Sequence, residues 1–173
     1  MTAKLEAMPA SPQRFIPYLL VETGLRNNDA RWIDLGQLSA DGKWLMRVHV
    51  KGGKRINVPL SDKAAQELTL YREGWRNNYP TGDNTPLLVT KRGSRPSNKT
   101  IWQYVYDVTG EHPHALRHTF AYRYLEHLQA QGLSAGRAFL RLRDRLGHSS
   151  IQTTLRYLGN RQDEVWEEIR GMA

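Results

Sequence analysis

The chain has 173 residues, enough for one sizeable domain, and 25 Lys and Arg against 17 Asp and Glu give a formal net charge of +8. The absence of cysteine excludes disulfides and thiolate metal sites, and the longest apolar run, Ile16 to Val21, is far too short to span a bilayer. Such a basic balance points to an anionic partner, nucleic acid foremost, without excluding a merely soluble basic protein.

Residues 1–10 read as a loose leader, without the apolar stretch of a signal peptide. Ser11 and Pro12 start a helix whose apolar face is Phe15, Ile16, Leu19 and Leu20, and Gly24 ends it. Asn27, Asn28 and Asp29 cap a short second helix carrying Ala30 and Ile33. The period then changes. Met46, Val48 and Val50 alternate with polar residues, as do Ile56, Val58 and Leu60 beyond a Lys51–Lys54 glycine turn, which predicts a β-hairpin. A strand at 36–38 would extend it to a small antiparallel sheet. Ser61 caps a helix from Asp62 to about Asn77, with Ala64, Leu68, Tyr71 and Trp75 at helical spacing. Residues 78–98 read as loop, interrupted only by Leu87–Val89. Ser97 caps a helix through Ile101, Tyr104, Val105 and Val108, and another runs from Pro113 to about Gln131. Helices at 134–145, 150–158 and 160–171 follow. The expectation is an α+β fold, mostly α-helical, with a small antiparallel sheet in the N-terminal third. It forms a single domain over residues 11–173.

The basic residues have a pattern. Arg26 follows the first helix, Lys51 and Lys54 flank the hairpin turn, and His114 and Arg117 share one helical turn. His148 stands in LGHSS, and Tyr157 nine residues on. Singly, each has an ordinary role: Arg26 complements a helix dipole, the turn is solvated, Tyr157 is a half-buried core tyrosine. A zinc site at His112, His114 and His118 lacks both the intervening Glu of the metalloprotease motif and a distant third ligand. As a set, these residues suit phosphodiester chemistry. Arginine forks grip non-bridging oxygens, a tyrosine hydroxyl is a nucleophile, and a lysine protonates a leaving oxygen. No Walker-type glycine loop or paired acidic cluster suggests nucleotide hydrolysis or a two-metal nuclease.

In four boxes the sequence resembles the tyrosine recombinases, the family of phage-type integrases and Xer-type resolvases. TGLRNND resembles the block that carries the family's first catalytic arginine, here Arg26. VKGGKRINVPL resembles its hairpin, with the catalytic lysine at Lys51. HALRHTFA matches the box that gives His114 and Arg117, and LGHSSIQTTLRY the box that gives His148 and the nucleophile Tyr157. The resemblance implies the family's catalytic domain and attack of Tyr157 on a DNA phosphate to form a 3′-phosphotyrosyl bond. Arg26, Arg117 and His148 would bind the phosphate, Lys51 would protonate the leaving 5′-oxygen, and His114 would assist proton transfer or orient its neighbours. It implies double-stranded DNA as partner, a homo-oligomer on DNA, no cofactor, no metal and no membrane. A cytoplasmic, prokaryotic or phage-encoded protein is expected. Lys54, Arg55, His118 and Arg145 are candidates for further DNA contacts. The helix at 160–171 would dock either on a neighbouring protomer or on its own domain.

Three features depart from the family. ARWIDLGQL fits poorly the leucine-rich helix and Trp-x-Asp pair that usually follow this block. The segment 129–145 is longer than usual, and its arginines at 137, 141, 143 and 145 form a DNA-facing, partner-facing or simply solvated stripe. Only residues 1–10 precede the catalytic pattern, so the family's N-terminal core-binding domain is expected to be absent, by excision or in a single-domain lineage. Two alternatives stand beside a recombinase. They are a type IB topoisomerase, which the histidine at 114 disfavours, and a non-catalytic DNA-binding protein, which would not need Tyr157.

Overall fold

Serine caps organise the helices. Ser11, Ser61, Ser97 and Ser134 each accept a hydrogen bond from the backbone N–H three residues on, at the starts of Pro12–Thr23, Asp62–Gly74, Asn98–Thr109 and Ala135–Arg145. In chain order the elements are α1 (Thr2–Glu6), α2 (Pro12–Thr23), α3 (Asn27–Arg31), β1 (Trp44–His49), β2 (Arg55–Pro59) and α4 (Asp62–Gly74). They continue with α5 (Asn98–Thr109), α6 (Pro113–Ala130), α7 (Ala135–Arg145) and α8 (Gln162–Gly171). The structure, a computed structural model, describes residues 2–79, 86–148, 154 and 162–172. The helix expected at 150–158 lies outside the described residues apart from Thr154. Within the span read as one domain, the chain forms two compact units, Met1–Arg117 and His118–Ala173.

In the first unit, α2 is buried on nearly every side, packed against α1, α4 and α5. Phe15 of α2 stacks on Tyr71 of α4 with ring centroids 4.6 Å apart. Tyr71 is buried, which pushes its phenol up to about 12, and its oxygen accepts the Val89 N–H at 3.1 Å.

The leader is not loose, which corrects the sequence reading. Thr2–Glu6 is helical, and Leu5 is fully buried in the core. Lys4 Nζ donates to the Val108 carbonyl at 2.8 Å. Arg14 grips both carboxylate oxygens of Glu67, at 2.8 and 2.5 Å, and its Nη1 donates to the carbonyls of Glu6 and Met8. Arg14 lies in the next helix and Val108 more than a hundred residues on, so residues 1–10 show no local periodicity of their own. Leu5→Ala is expected to destabilise the chain by about 3 kcal/mol, through lost burial and the cavity left behind. Denaturant unfolding checks this, and a loss below about 1 kcal/mol would contradict it.

Among the described residues the sheet has two strands, not three. Residues Leu35–Gln37 form a 3₁₀ turn, and Leu38 makes only an isolated bridge to Leu45. The simple alternation also fails at Met46, which is exposed. The paired residues are Leu45 with Val58 and Val48 with Ile56, so Met46 and Arg47 together oppose Asn57 in a β-bulge. Arg47 adopts φ 52°, a left-handed conformation costly for arginine. Two long side chains hold it there. Asn57 Oδ1 accepts the Arg47 N–H at 2.9 Å, and Gln37 Nε2 donates to the carbonyls of Met46 and Arg47, both at 3.0 Å. At the hairpin tip Gly52 and Gly53 have φ 90° and 75°, a tight turn that favours glycine at both positions.

In the second unit the part of α6 beyond Arg117 packs Phe120, Ala121, Leu125 and Leu128 against Ala138, Leu142 and Leu146. α8 packs on α7 of the same chain. Val165 is buried, and Glu168 Oε2 accepts the Gly136 N–H at 2.8 Å. The Ser134 hydroxyl, and after it that bond, hold the Glu168 carboxyl below its ordinary range.

Candidate active site

Gly24 ends α2 in a left-handed turn at φ 68°, which lets the chain double back at once into α3. Arg26 is the residue that caps α3, and Asp29 lies one turn later. Asp29 is 4% exposed, and its Oδ2 stands 3.7 Å from Arg26 Nη1. This is an ion pair too long for a good hydrogen bond, and neither atom has a hydrogen-bond partner among the described residues.

Arg117 reaches the same corner from α6. It is 2% exposed, and its Nη1 donates to the Gly24 carbonyl. Burial pushes the Asp29 carboxyl above its ordinary value, while the charges of Arg26 and Arg117 pull it back. Two arginines thus converge on one buried carboxylate. His114 is exposed on the turn of α6 that precedes Arg117.

A cavity of about 520 Å³ opens beside this corner, lined by Arg26, Asn28, Asp29, Trp32, His49, Val50 and Lys51. The hairpin therefore brings Lys51 to the same hollow as Arg26. Lys51 is exposed at the glycine turn, where an ammonium on a flexible stem suits proton transfer.

In the second unit Gly147 ends α7 with φ 65°, and the His148 N–H returns to the Arg143 carbonyl at 3.0 Å. This helix stop explains the glycine before His148. The imidazole is 6% exposed, and its Nδ1 shares a 2.8 Å hydrogen bond with Thr154 Oγ1, which orients the ring. Tyr157 lies outside the described residues.

The other candidates divide. Lys54 and Arg55 are exposed on the hairpin, and His118 is exposed on α6. Arg145 is half-buried, with its guanidinium carbon 5.6 Å from the centre of the Phe120 ring, and burial pushes it down to about 10. Arg143 pairs with its neighbour Asp144 at 2.7 Å. The arginine stripe of α7 is therefore partly tied up within the unit. His112 Nδ1 accepts the Ala115 N–H at 3.2 Å and so caps α6.

Sequence reasoning missed Asp29, Trp32, His49 and Thr154 as site residues. Asp29 carried a signal, an acid three residues after a candidate catalytic arginine, but it read equally well as a helix cap.

The model of the phage integrase family matches residues 5–164. The chain belongs to this family. Among its integrase-family relatives, the tyrosine recombinase XerC of Actinobacillus pleuropneumoniae is 34% identical over 147 residues, covering 80% of this chain and 44% of that protein. The tyrosine recombinase XerD of Chlamydia muridarum is 30% identical over 179 residues, 97% of this chain and 55% of that one. The chain thus spans about half the length of the relatives it matches. The fold is similar to the crystal structure of XerA recombinase, with TM-score 0.73 and 24% identity over 99% of this chain and 60% of that one. It is also similar to XerH recombinase bound to its difH substrate, with TM-score 0.72 and 20% identity over 94% of this chain and 48% of that one.

In this integrase-family chain the burial of the Asp29 carboxyl is expected to cost stability at neutral pH. A carboxyl whose folded pKa exceeds its ordinary 3.8 holds its proton more tightly when folded. Its contribution to stability is complete in acid below that value and is lost as pH rises through the folded pKa. Asp29→Asn mimics the neutral form. It is expected to be more stable than wild type at pH 7, with the gap closing as pH falls toward about 4. Unfolding curves at both pH values test this, and a wild type more stable than Asp29→Asn at pH 7 contradicts it.

Proposed function

We propose that residues 11–173, with α1 packed onto them, form the catalytic domain of a site-specific DNA recombinase working in the cytoplasm. The observation that carries this reading is the convergence of Arg26 and Lys51 on one cavity, with Arg117 bound to the same corner through Gly24. Two guanidiniums there suit the non-bridging oxygens of a phosphodiester and the charge that builds on them in a pentacoordinate transition state. Tyr157 attacks the phosphorus and gives up its phenolic proton to solvent, its oxygen becomes bonded to the DNA 3′-phosphate, and the P–O bond to the 5′-oxygen breaks. Lys51 gives that oxygen its proton. His148 binds the phosphate with its ring oriented by Thr154, and His114 assists proton transfer or orients its neighbours. The phosphotyrosyl ester conserves the energy of the broken bond, so a second 5′-hydroxyl reverses the step without ATP. The partners are double-stranded DNA and further copies of the chain assembled on it. The similarity to XerH recombinase bound to difH substrate supports the first, and the similarity in fold to a lambda integrase dimer bound to a core site supports the second.

The test is covalent capture on a duplex nicked beside the cleavage point, so that the short 5′ fragment diffuses away and religation fails. An adduct that peptide mapping places on Tyr157 is the expected result. No adduct, or attachment elsewhere, overturns the reading. Relaxation of supercoils without any exchange between two sites would point instead to a topoisomerase.

A further inference from the structure

α3 has five residues, too few to stand alone, yet it is capped by Arg26 and carries Asp29. Its Ala30 is buried in the core, and polar ties at both of its ends lead to one distant segment, residues 95–98, at the start of α5. At the N-terminal end Asn27 Nδ2 donates to Asn98 Oδ1 at 3.3 Å, and Asn98 Nδ2 donates to Asn28 Oδ1 at 3.2 Å. At the C-terminal end Arg31 Nε donates to the Pro96 carbonyl at 3.1 Å. Arg95 Nη1 donates to the Arg31 carbonyl, and Arg95 Nη2 pairs with Asp34 Oδ1 at 2.5 Å. The guanidinium carbons of Arg31 and Arg95 each lie 4.8 Å from the centre of the Trp32 ring, which is 51% exposed and also lines the cavity beside Arg26. Both ends of the helix are thus fastened to a segment some 65–70 residues away.

We propose that Arg95 and Asn98 are positioning residues for Arg26: they hold α3 in the orientation that turns the Arg26 guanidinium toward the cavity it shares with Lys51. The activity readout rests on the recombinase reading above. Arg95 suits the task because a guanidinium alone offers several fixed donors and a flat face for Trp32 together. Asn98 suits it because one amide both donates and accepts, and so bridges two neighbouring side chains.

The test is single-turnover cleavage of the nicked duplex at saturating protein, in the wild-type and Arg26→Lys backgrounds. Arg95→Ala is expected to slow cleavage about 10- to 100-fold in the wild-type background, as misplacement of a phosphate-binding group does. In the Arg26→Lys background the same change is expected to cost less than about threefold, because residues acting through one another are not additive. Arg95→Lys keeps the charge and is expected to fail as a rescue. A loss of equal size in both backgrounds, or one seen only in DNA affinity, overturns the proposal, since Arg95 would then act independently of Arg26. If Arg95→Ala does not fold, Asn98→Ala, which removes only exposed hydrogen bonds, carries the same comparison. A second readout needs no DNA. Hydrogen exchange at the Arg26 Nε–H, followed by NMR, is expected to quicken in Asn98→Ala while that of Arg14 stays unchanged. Unchanged Arg26 exchange overturns the positioning role even if the chain proves not to cleave DNA.

Discussion

Arg117→Met is expected to reduce covalent attachment to DNA by about 10³-fold or more and to lower stability by about 2–4 kcal/mol. Both effects come from one guanidinium. It is 2% exposed and donates to the Gly24 carbonyl at the turn that delivers Arg26. Methionine fills similar space but donates nothing, so the Gly24 carbonyl loses that donor. The Asp29 carboxyl loses one of the two positive charges that offset its burial. Arg117→Lys separates the two roles. It keeps a charge near Asp29 but cannot present a fork to two phosphate oxygens, so it should recover stability more than cleavage. Denaturant unfolding and capture on the nicked duplex measure the two quantities side by side. A methionine variant that cleaves within about tenfold of wild type would remove Arg117 from the chemistry.

The second large effect concerns Lys51. Its replacement by alanine is expected to slow cleavage about 10²- to 10³-fold, the usual share of a general acid. The discriminating substrate carries sulfur in place of the bridging 5′-oxygen. A thiol has a pKa of about 8.5 and leaves as the thiolate without a proton. On that substrate wild type and Lys51→Ala should differ by less than about tenfold. An equal loss on both substrates would mean that Lys51 acts on the non-bridging oxygens instead. The structure favours the acid role because Lys51 stands at a two-glycine turn facing the cavity that Arg26 lines, rather than fixed in the buried corner with Arg117.

What was legible in the sequence is what local chemistry decides. Serine caps, the glycines at 24 and 147, and the two-glycine turn each act within a few residues of themselves. The hairpin tip and the four helices with serine caps therefore stood close to their expected places. The boxes around Arg26, Lys51, His114, Arg117 and His148 stood out through their resemblance to the tyrosine recombinases. The rest depended on distant partners. Leu5 is buried because the residues around it are fastened by Arg14 and by the Val108 carbonyl. Met46 is exposed because Gln37 and Asn57 sustain a bulge that no alternation pattern announces. Arg145 looked like a surface cation, yet the Phe120 ring shelters it. Asp29 looked like a cap until Arg117, far along the chain, supplied the second charge.

The bulge at Met46 and Arg47 bears on how this hairpin tolerates changes in length. Leu45 and Val48 both face the core, although three positions apart, because the extra residue is taken up between them. Deleting Arg47 would leave a regular strand with Leu45, Val48 and Val50 still inward, and Lys51 would keep its side of the sheet. The same deletion after Val48 would invert every side chain up to the turn and carry Lys51 away from Arg26. The strand therefore has one place where a residue can be gained or lost silently, and it lies just upstream of the stretch where none can.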